Sequence, residues 1–441
     1  MTSRPTRQLG QFDSTCLIVG IIIGAGIYRL APDIAQGVGG PVTLMALWVL
    51  GGILSLCGAM SYAELATTYP EEGGDYVFLS RAYGSTAGFL FGWAQLAIVR
   101  PGDIAVMAFI FATYAAALWD PFAGTAVADG QQVYAVSATL ALTLINVWGV
   151  RQGKWTQNLL TVAKAAGLLL VVVAALMVRP PTTATVATEA GLPFTLALIF
   201  VLFTYGGWNE MAYVAAEVRD PRRNIVRALI TGTAVVTVLY LLVNLAFLHA
   251  LGFEGMRNSQ AVASDSVARA LPALGPGLIS VLICVSALGA LNGLIFAGAR
   301  ISYAVGQDHP MFHGLGRWHP GLGTPSNALL MQGGIALLLI LLLGSAIDAI
   351  LYTAAVVYSF YCASTIAVLV LRRKEPGADR PFRVPGYPWT PLVFAGVCLF
   401  LIQSAVRYKP TVALAGCGLL LLGFPLLAWS NRMARGKSRS T

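Results

Sequence analysis

Apolar residues in this chain come in long, nearly unbroken runs, with polar residues confined to short stretches between them. The runs lie near residues 14–36, 41–66, 85–117, 132–150, 157–178, 191–216, 225–251, 274–304, 327–344, 346–371, 390–407 and 411–429. Each is close to or beyond the roughly 20 residues that carry an α-helix across a bilayer. Hydrocarbon offers backbone N–H and C=O groups no partner, so each run must satisfy its own hydrogen bonds as a helix. The pattern predicts an all-α membrane protein of twelve transmembrane helices. It forms a single domain, 1–441, with tails at 1–12 and 430–441.

Composition sharpens this reading. Hydrophobic residues make up 57% of the chain and charged residues 11%, against about 25% charged in soluble proteins; mean hydropathy is +0.73. No stretch between the runs is long enough for a soluble domain. In a soluble protein the net charge of +9 would raise the question of nucleic acid. Here the basic residues mark orientation instead, and no nucleic-acid partner is expected. With the N-terminus inside, 20 of the 28 Lys and Arg fall in cytoplasmic segments and five outside; Arg29, Arg100 and Lys164 lie within spans. That bias places both termini in the cytoplasm, in a multi-pass protein of the cytoplasmic (inner) membrane. The six cysteines all sit in or beside apolar runs. They read as small buried hydrophobes rather than a disulfide framework. The N-terminus lacks the short apolar run and small-residue cleavage site of a signal peptide, so the first run is retained as a helix.

Two spans carry glycine clusters near their middle: GIIIGAGIY at 20–28 in the first and FTYGGWNEM at 203–211 in the sixth. Five spans separate them, so they cross in opposite directions. Interrupted helices in matching positions of two halves point to an inverted-repeat transporter. The repeats would be 13–178 and 191–371, with 390–429 adding two helices. No residue-level identity joins the halves, so the repeat rests on the glycine positions. An unwound segment at Gly24 and Gly26, with Ala25 between, would present free N–H groups and a positive helix end suited to a carboxylate. Free carbonyls before that break, and near Phe203 and Gly206, suit an ammonium. Together they complement a zwitterionic α-amino acid. The competing reading of each cluster is close helix packing through small residues.

Lys164 lies several residues into the fifth span. A charge at that depth is costly and marks a functional candidate; it would bridge helices in place of a cation or carry a proton, unless it snorkels to the cytoplasmic face. Arg100, beside Pro101, is expected to orient the core. Arg29 and Asp33 have the spacing of an i,i+4 ion pair. Glu210 would line a pathway or pair with a cationic helix. His309, His313 and His319 share a loop, but no Cys or carboxylate pair completes a coordination shell, so no metal is expected. No Gly-rich phosphate loop or catalytic constellation occurs. The chain is therefore not expected to be an enzyme or to hold a cofactor.

Seven segments in order resemble the L-type amino acid transporter family of the amino acid–polyamine–organocation superfamily, from about residue 9 to about 405. They are GIIIGAGIY, SYAEL at 61–65 with GGDYVF at 73–78, IVRP at 98–101, LLTVAK at 159–164, FTYGGWNEMAYVAAEVRDPRRNI at 203–225, NGLIFAGARISY at 292–303 and RPFRVP at 380–385. The resemblance implies a LeuT-type 5+5 inverted repeat with helices 1 and 6 broken, and neutral amino acid substrates. It also implies site roles. The backbones of Ala25 and Gly26, beside Gly24, would hold the carboxylate, and the carbonyls of Ile22, Phe203 and Gly206 the amine. Phe203 would gate, with Tyr205 beside it, and Asn209 would support the helix 6 break. Lys164 would link helix 5 to helices 1 and 8. Ala25 stands where the family usually has Ser, removing a hydroxyl contact. Eukaryotic members join a heavy subunit through a cysteine between helices 3 and 4. The loop near 118–131 has none, so no disulfide-linked partner is expected, and the chain would act as a monomer or homodimer. Besides a sodium-independent carrier of neutral amino acids, two alternatives remain: a carrier of cationic amino acids or polyamines, with Glu210 as its acid, and a non-transporting amino acid sensor.

Overall fold

The computed structural model describes residues 7–24, 26–71, 73–121, 130–181, 191–272, 275–342, 346–408 and 410–438. Among them the chain is helical, with no strand beyond isolated bridges such as Leu9 to Val218. We number the helices α1 (Gln11–Ile22), α2 (Gly26–Arg29), α3 (Ala31–Gln36), α4 (Pro41–Thr68), α5 (Asp75–Tyr83), α6 (Ser85–Leu118), α7 (Gly130–Trp148) and α8 (Val150–Leu176). There follow α9 (Phe194–Thr204), α10 (Glu210–Tyr213), α11 (Pro221–Asn258), α12 (Val262–Ala268), α13 (Gly275–Asp308), α14 (Ser326–Leu342), α15 (Ala346–Lys374), α16 (Trp389–Tyr408), α17 (Pro410–Leu421) and α18 (Gly423–Ser438).

Eight helical segments of the described chain are long and apolar enough to cross a membrane: Gln11–Arg29, Pro41–Thr68, Ser85–Leu118, Gly153–Leu176, Pro221–Asn258, Gly277–Asp308, Thr353–Lys374 and Trp389–Arg407. Phe194–Thr204, Ser326–Leu342 and Leu414–Ser430 are shorter apolar helices. Proline sets the start of α4 and α11, where its missing N–H costs nothing. The spans expected at 41–66, 85–117 and 390–407 match α4, α6 and α16 within a few residues. The first, sixth and twelfth expected spans are each divided into separate helices.

Apolar residues face outward as well as inward, and the polar groups within the spans are turned inside. On α8, Leu159, Val162, Leu169 and Val173 are exposed, whereas Gln157, Thr161 and Lys164 are buried. In water that arrangement would be inverted; in lipid it is the stable one, because hydrocarbon solvates the leucines and the protein interior must satisfy the lysine. The buried core is built where α11 packs on α4 and α1, and α13 packs on α6 and α8.

α6 carries a local irregularity. Gln95–Val99 form a π-helical turn, and Arg100 and Pro101 follow it. Proline lacks an N–H for the preceding turn, and a π-bulge is one way a helix absorbs that defect. The wider turn brings residues five apart onto one face: Arg100 Nε donates to Gln95 Oε1 at 3.0 Å.

Candidate functional site

Two helix interruptions meet at the centre of the bundle. α1 stops at Ile22; Ile23 (φ −72°, ψ 76°) leaves the helical conformation, and the Gly24 N–H donates back to the Ile22 carbonyl at 2.7 Å. Helix resumes at Gly26. α9 stops at Thr204, the Gly206 N–H turns back to the Phe203 carbonyl at 2.9 Å, and Gly207 adopts φ +106°. Helix resumes at Glu210. The breaks touch through Gly207: a Cβ there would lie 2.6 Å from Ile21 Cγ2.

Interrupting a helix leaves carbonyls without donors, and three buried side chains supply them. The Lys164 ammonium donates to the carbonyls of Gly20, Ile23 (2.7 Å) and Ser286 (3.1 Å). Three N–H donors meet three acceptors, which is full satisfaction for an ammonium. Through these bonds Lys164 of α8 ties α1 to α13. The Ser286 hydroxyl donates to Ile23 as well, at 3.1 Å. Tyr240 of α11 donates its hydroxyl to the Ile22 carbonyl at 2.7 Å and lies 3.3 Å from the Thr204 carbonyl. One hydroxyl thus holds the chain on the N-terminal side of both breaks.

Between the breaks lies a cavity lined by residues of both. Ile22, Gly24 and Gly26 line it from one break, and Phe203, Gly206 and Asn209 from the other. Phe203 is half-buried and packs on Val106 of α6. Ala25 lies outside the described residues. Lys164 and Tyr205 do not line the cavity. Tyr205 turns to α4, where its hydroxyl donates to the Trp48 carbonyl at 3.1 Å and its ring meets those of Trp48 and Tyr240 with centroids 5.8 and 5.3 Å away.

Matched against known proteins, the family described as amino acid permease covers residues 9–417. The chain belongs to the amino acid permease family. The serine/threonine exchanger SteT of Bacillus subtilis (strain 168) is 31% identical over 422 residues, 94% of each chain. The b(0,+)-type amino acid transporter 1 of Mus musculus is 28% identical, over 98% of this chain and 91% of its own. The large neutral amino acids transporter small subunit 2 of Homo sapiens is 28% identical, over 95% and 79%. This permease is accordingly a multi-pass membrane protein whose relatives are amino acid transporters.

The floor of the permease cavity is a hydrogen-bonded chain. Tyr361 of α15 donates to Asn209 Oδ1 at 2.9 Å, and Asn209 Nδ2 donates to the Tyr213 hydroxyl at 2.9 Å. Tyr213 donates to Asp75 Oδ2 at 2.6 Å, and Tyr62 donates to Asp75 Oδ1. Burial lifts the Asp75 carboxyl above the usual carboxylate range, and the tyrosine hydroxyls oppose that shift by favouring the charged form. The network joins the second break to α4, α5 and α15. Beside it, Arg100 Nη2 donates to Glu210 Oε1 at 2.7 Å, with both side chains buried and both residues lining the cavity.

Away from the cavity, other sequence motifs far apart along the chain pair with one another. Glu64 of SYAEL pairs with Arg372 at 2.6 Å, accepts from the Val384 N–H at 2.7 Å and lies 3.7 Å from Arg380, the last two from RPFRVP. Glu217, at the end of the sixth span, pairs with Arg300 of GARISY at 2.7 Å. Arg29 and Asp33 form an ion pair at 3.1 Å.

Sequence reasoning missed Tyr240 and Asp75. Tyr240 carried a signal: with Asn244 it interrupts the otherwise apolar VTVLYLLVN, and a polar group inside a span needs a partner. Asp75 falls in the GGDYVF segment, but nothing local marks its role, because its partners Tyr62 and Tyr213 come from two other helices. Tyr240→Phe is expected to keep the packing of its ring, whose neighbours are Trp48 and Tyr205, while withdrawing the hydroxyl from both carbonyls. Transport should fall about tenfold, the loss of one net buried hydrogen bond, with thermal stability in detergent lowered by only a few degrees. Uptake at the wild-type rate would show that the hydroxyl plays no part in holding the breaks.

Proposed function

We propose that this permease carries neutral L-amino acids across the cytoplasmic membrane by alternating access. In this reading the chain has twelve spans in a LeuT-type arrangement, with inverted repeats at 13–178 and 191–371, two appended helices at 390–429 and both termini cytoplasmic. One observation carries it: two broken helices, α1/α2 and α9/α10, bring the backbone of their breaks to one cavity. The peptide N–H groups of Ala25 and Gly26 take the carboxylate, the Gly24 N–H being turned to the Ile22 carbonyl, and the carbonyls of Phe203 and Gly206 take the ammonium. The Ile22 carbonyl serves that role when Tyr240 releases it. Phe203, packed on Val106 across the cavity, acts as the gate.

Lys164 supports sodium independence. Its ammonium fills a cluster of three carbonyls, the kind of oxygen cage that otherwise suits a monovalent cation. The names of the relatives, an exchanger of serine and threonine and a transporter of large neutral amino acids, favour neutral substrates and exchange over proton symport. A cationic substrate is disfavoured because Arg100 also lines the cavity and pairs with Glu210, the acid named for that role.

The test is counterflow into proteoliposomes. Liposomes preloaded with alanine, serine or leucine should accumulate the labelled amino acid, and replacing external sodium with choline should leave the rate unchanged. A strict need for a sodium gradient would remove the coupling assigned to Lys164. Ligand binding with no flux would identify a sensor, and competition by arginine or putrescine alone a cationic carrier.

A further inference from the structure

The Arg100–Glu210 pair is incomplete in a way that bears on substrate choice. Arg100 spends Nη2 on Glu210 Oε1 and Nε on Gln95. Among the described residues, Arg100 Nη1 and Glu210 Oε2 are buried with no hydrogen-bond partner. A donor and an acceptor stand unused on adjacent groups, both in residues that line the cavity. Leaving such groups unpaired away from water is costly, and charged groups cost most. Their position is informative: Glu210 is four residues beyond Gly206, one turn of chain from the peptide groups assigned to the amino acid backbone. A substrate gripped there would extend its side chain toward the pair.

We propose that Arg100 and Glu210 form the side-chain subsite of this permease and that it recognises an uncharged donor–acceptor group, the primary carboxamide of glutamine or asparagine. The inference rests on the transport reading above and adds the substrate class. The carboxamide oxygen accepts from Arg100 Nη1, and its NH2 donates to Glu210 Oε2. An aliphatic side chain of the same length leaves both atoms unpaired. A side-chain carboxylate faces Glu210, and a side-chain ammonium faces Arg100. Asp103 lines the same cavity and would add a second acceptor for the NH2 group.

The experiment is counterflow of labelled L-glutamine into liposomes holding the wild-type protein, with methionine, glutamate and lysine as competitors. Methionine matches glutamine in length and lacks the donor–acceptor pair. The expected result is glutamine uptake, with methionine competing at least about tenfold less well than unlabelled glutamine, the effect of hydrogen bonds to charged groups. In Glu210→Gln an amide N–H2 replaces the free acceptor, so the preference for glutamine over methionine should shrink to about threefold or less. Should Glu210→Gln fail to give monodisperse protein, Glu210→Asp, which keeps the charge and withdraws it by one methylene, carries the same comparison. Equal competition by methionine, preference for lysine, or a ratio unmoved by the substitution overturns the proposal. Uptake of alanine or leucine without glutamine overturns it and leaves the transport reading standing. Uptake of no amino acid removes both.

Discussion

Replacing Lys164 with alanine is expected to abolish transport, with uptake falling at least about 100-fold, and to lower the thermal stability of the purified protein. The argument starts from α1. Its helix ends at Ile22, and the carbonyls of Gly20 and Ile23 accept from the Lys164 ammonium, as does Ser286 on α13. The side chain is fully buried, so water cannot replace it. Ile23 keeps the Ser286 hydroxyl, but each lost bond from the charged ammonium costs about 1.5–3 kcal/mol, and three together exceed the roughly 3 kcal/mol that corresponds to a hundredfold change. Lys164→Arg should fail nearly as completely. A planar guanidinium directs its donors in a fork, whereas these acceptors converge from two helices on one point. The site is also closely fitted: a Cβ at Gly289 would stand 2.7 Å from Lys164 Cε, so the bulk of an arginine has no room. Radiolabelled uptake measured beside a melting curve separates the outcomes. If Lys164→Ala transports at the wild-type rate, the ammonium is not what holds the broken helix in a working geometry.

The sequence made the helices legible because lipid imposes a single rule on every span. A run such as Pro41–Thr68 can do only one thing in hydrocarbon. It also exposed the two breaks, since GIIIGAGIY and FTYGGWNEM place glycines where a span would otherwise be continuous. For who repairs them, residue patterns alone gave Lys164 only as a lone charge, because its acceptors are main-chain atoms, which sequence does not distinguish; the family resemblance is what pointed to its linking helix 5 to helices 1 and 8, as its bonds do. Tyr205 lies within the helix 6 motif yet turns away from the cavity to Trp48, because direction within an irregular turn follows from backbone angles and not from spacing. Glu210 had two open readings, and only the register of α6, set by a π turn, brings Arg100 within 2.7 Å of it. The chain Tyr62–Asp75–Tyr213–Asn209–Tyr361 draws on four helices, and such long-range convergence leaves no local pattern.

Gly207 should tolerate no side chain. Its φ of +106° belongs to the region that glycine alone enters freely, and a Cβ there costs about 1–3 kcal/mol in backbone strain. Space adds to that cost. The added carbon would lie 2.6 Å from Ile21 Cγ2 and 3.4 Å from the Ile22 amide, against the stretch of α1 whose carbonyls Lys164 and Tyr240 hold. The neighbour has little freedom to move, because Ile21 is itself buried and packs so closely on Gly293 that a Cβ there would stand 2.4 Å from it. Relief can come only by parting the two breaks, which pulls Ile22 from Tyr240 and opens the contact on which the cavity depends. Gly207→Ala is therefore expected to reduce uptake at least about thirtyfold, and Gly207→Val to eliminate it. Gly334 supplies the control: a Cβ there meets nothing within 4 Å, and Gly334→Ala in α14 should transport normally and melt at or slightly above the wild-type temperature, as expected where alanine replaces a helical glycine. The comparison distinguishes the close approach of two broken helices from a general intolerance to change. Normal uptake by Gly207→Ala would show that transport does not require the two breaks to touch.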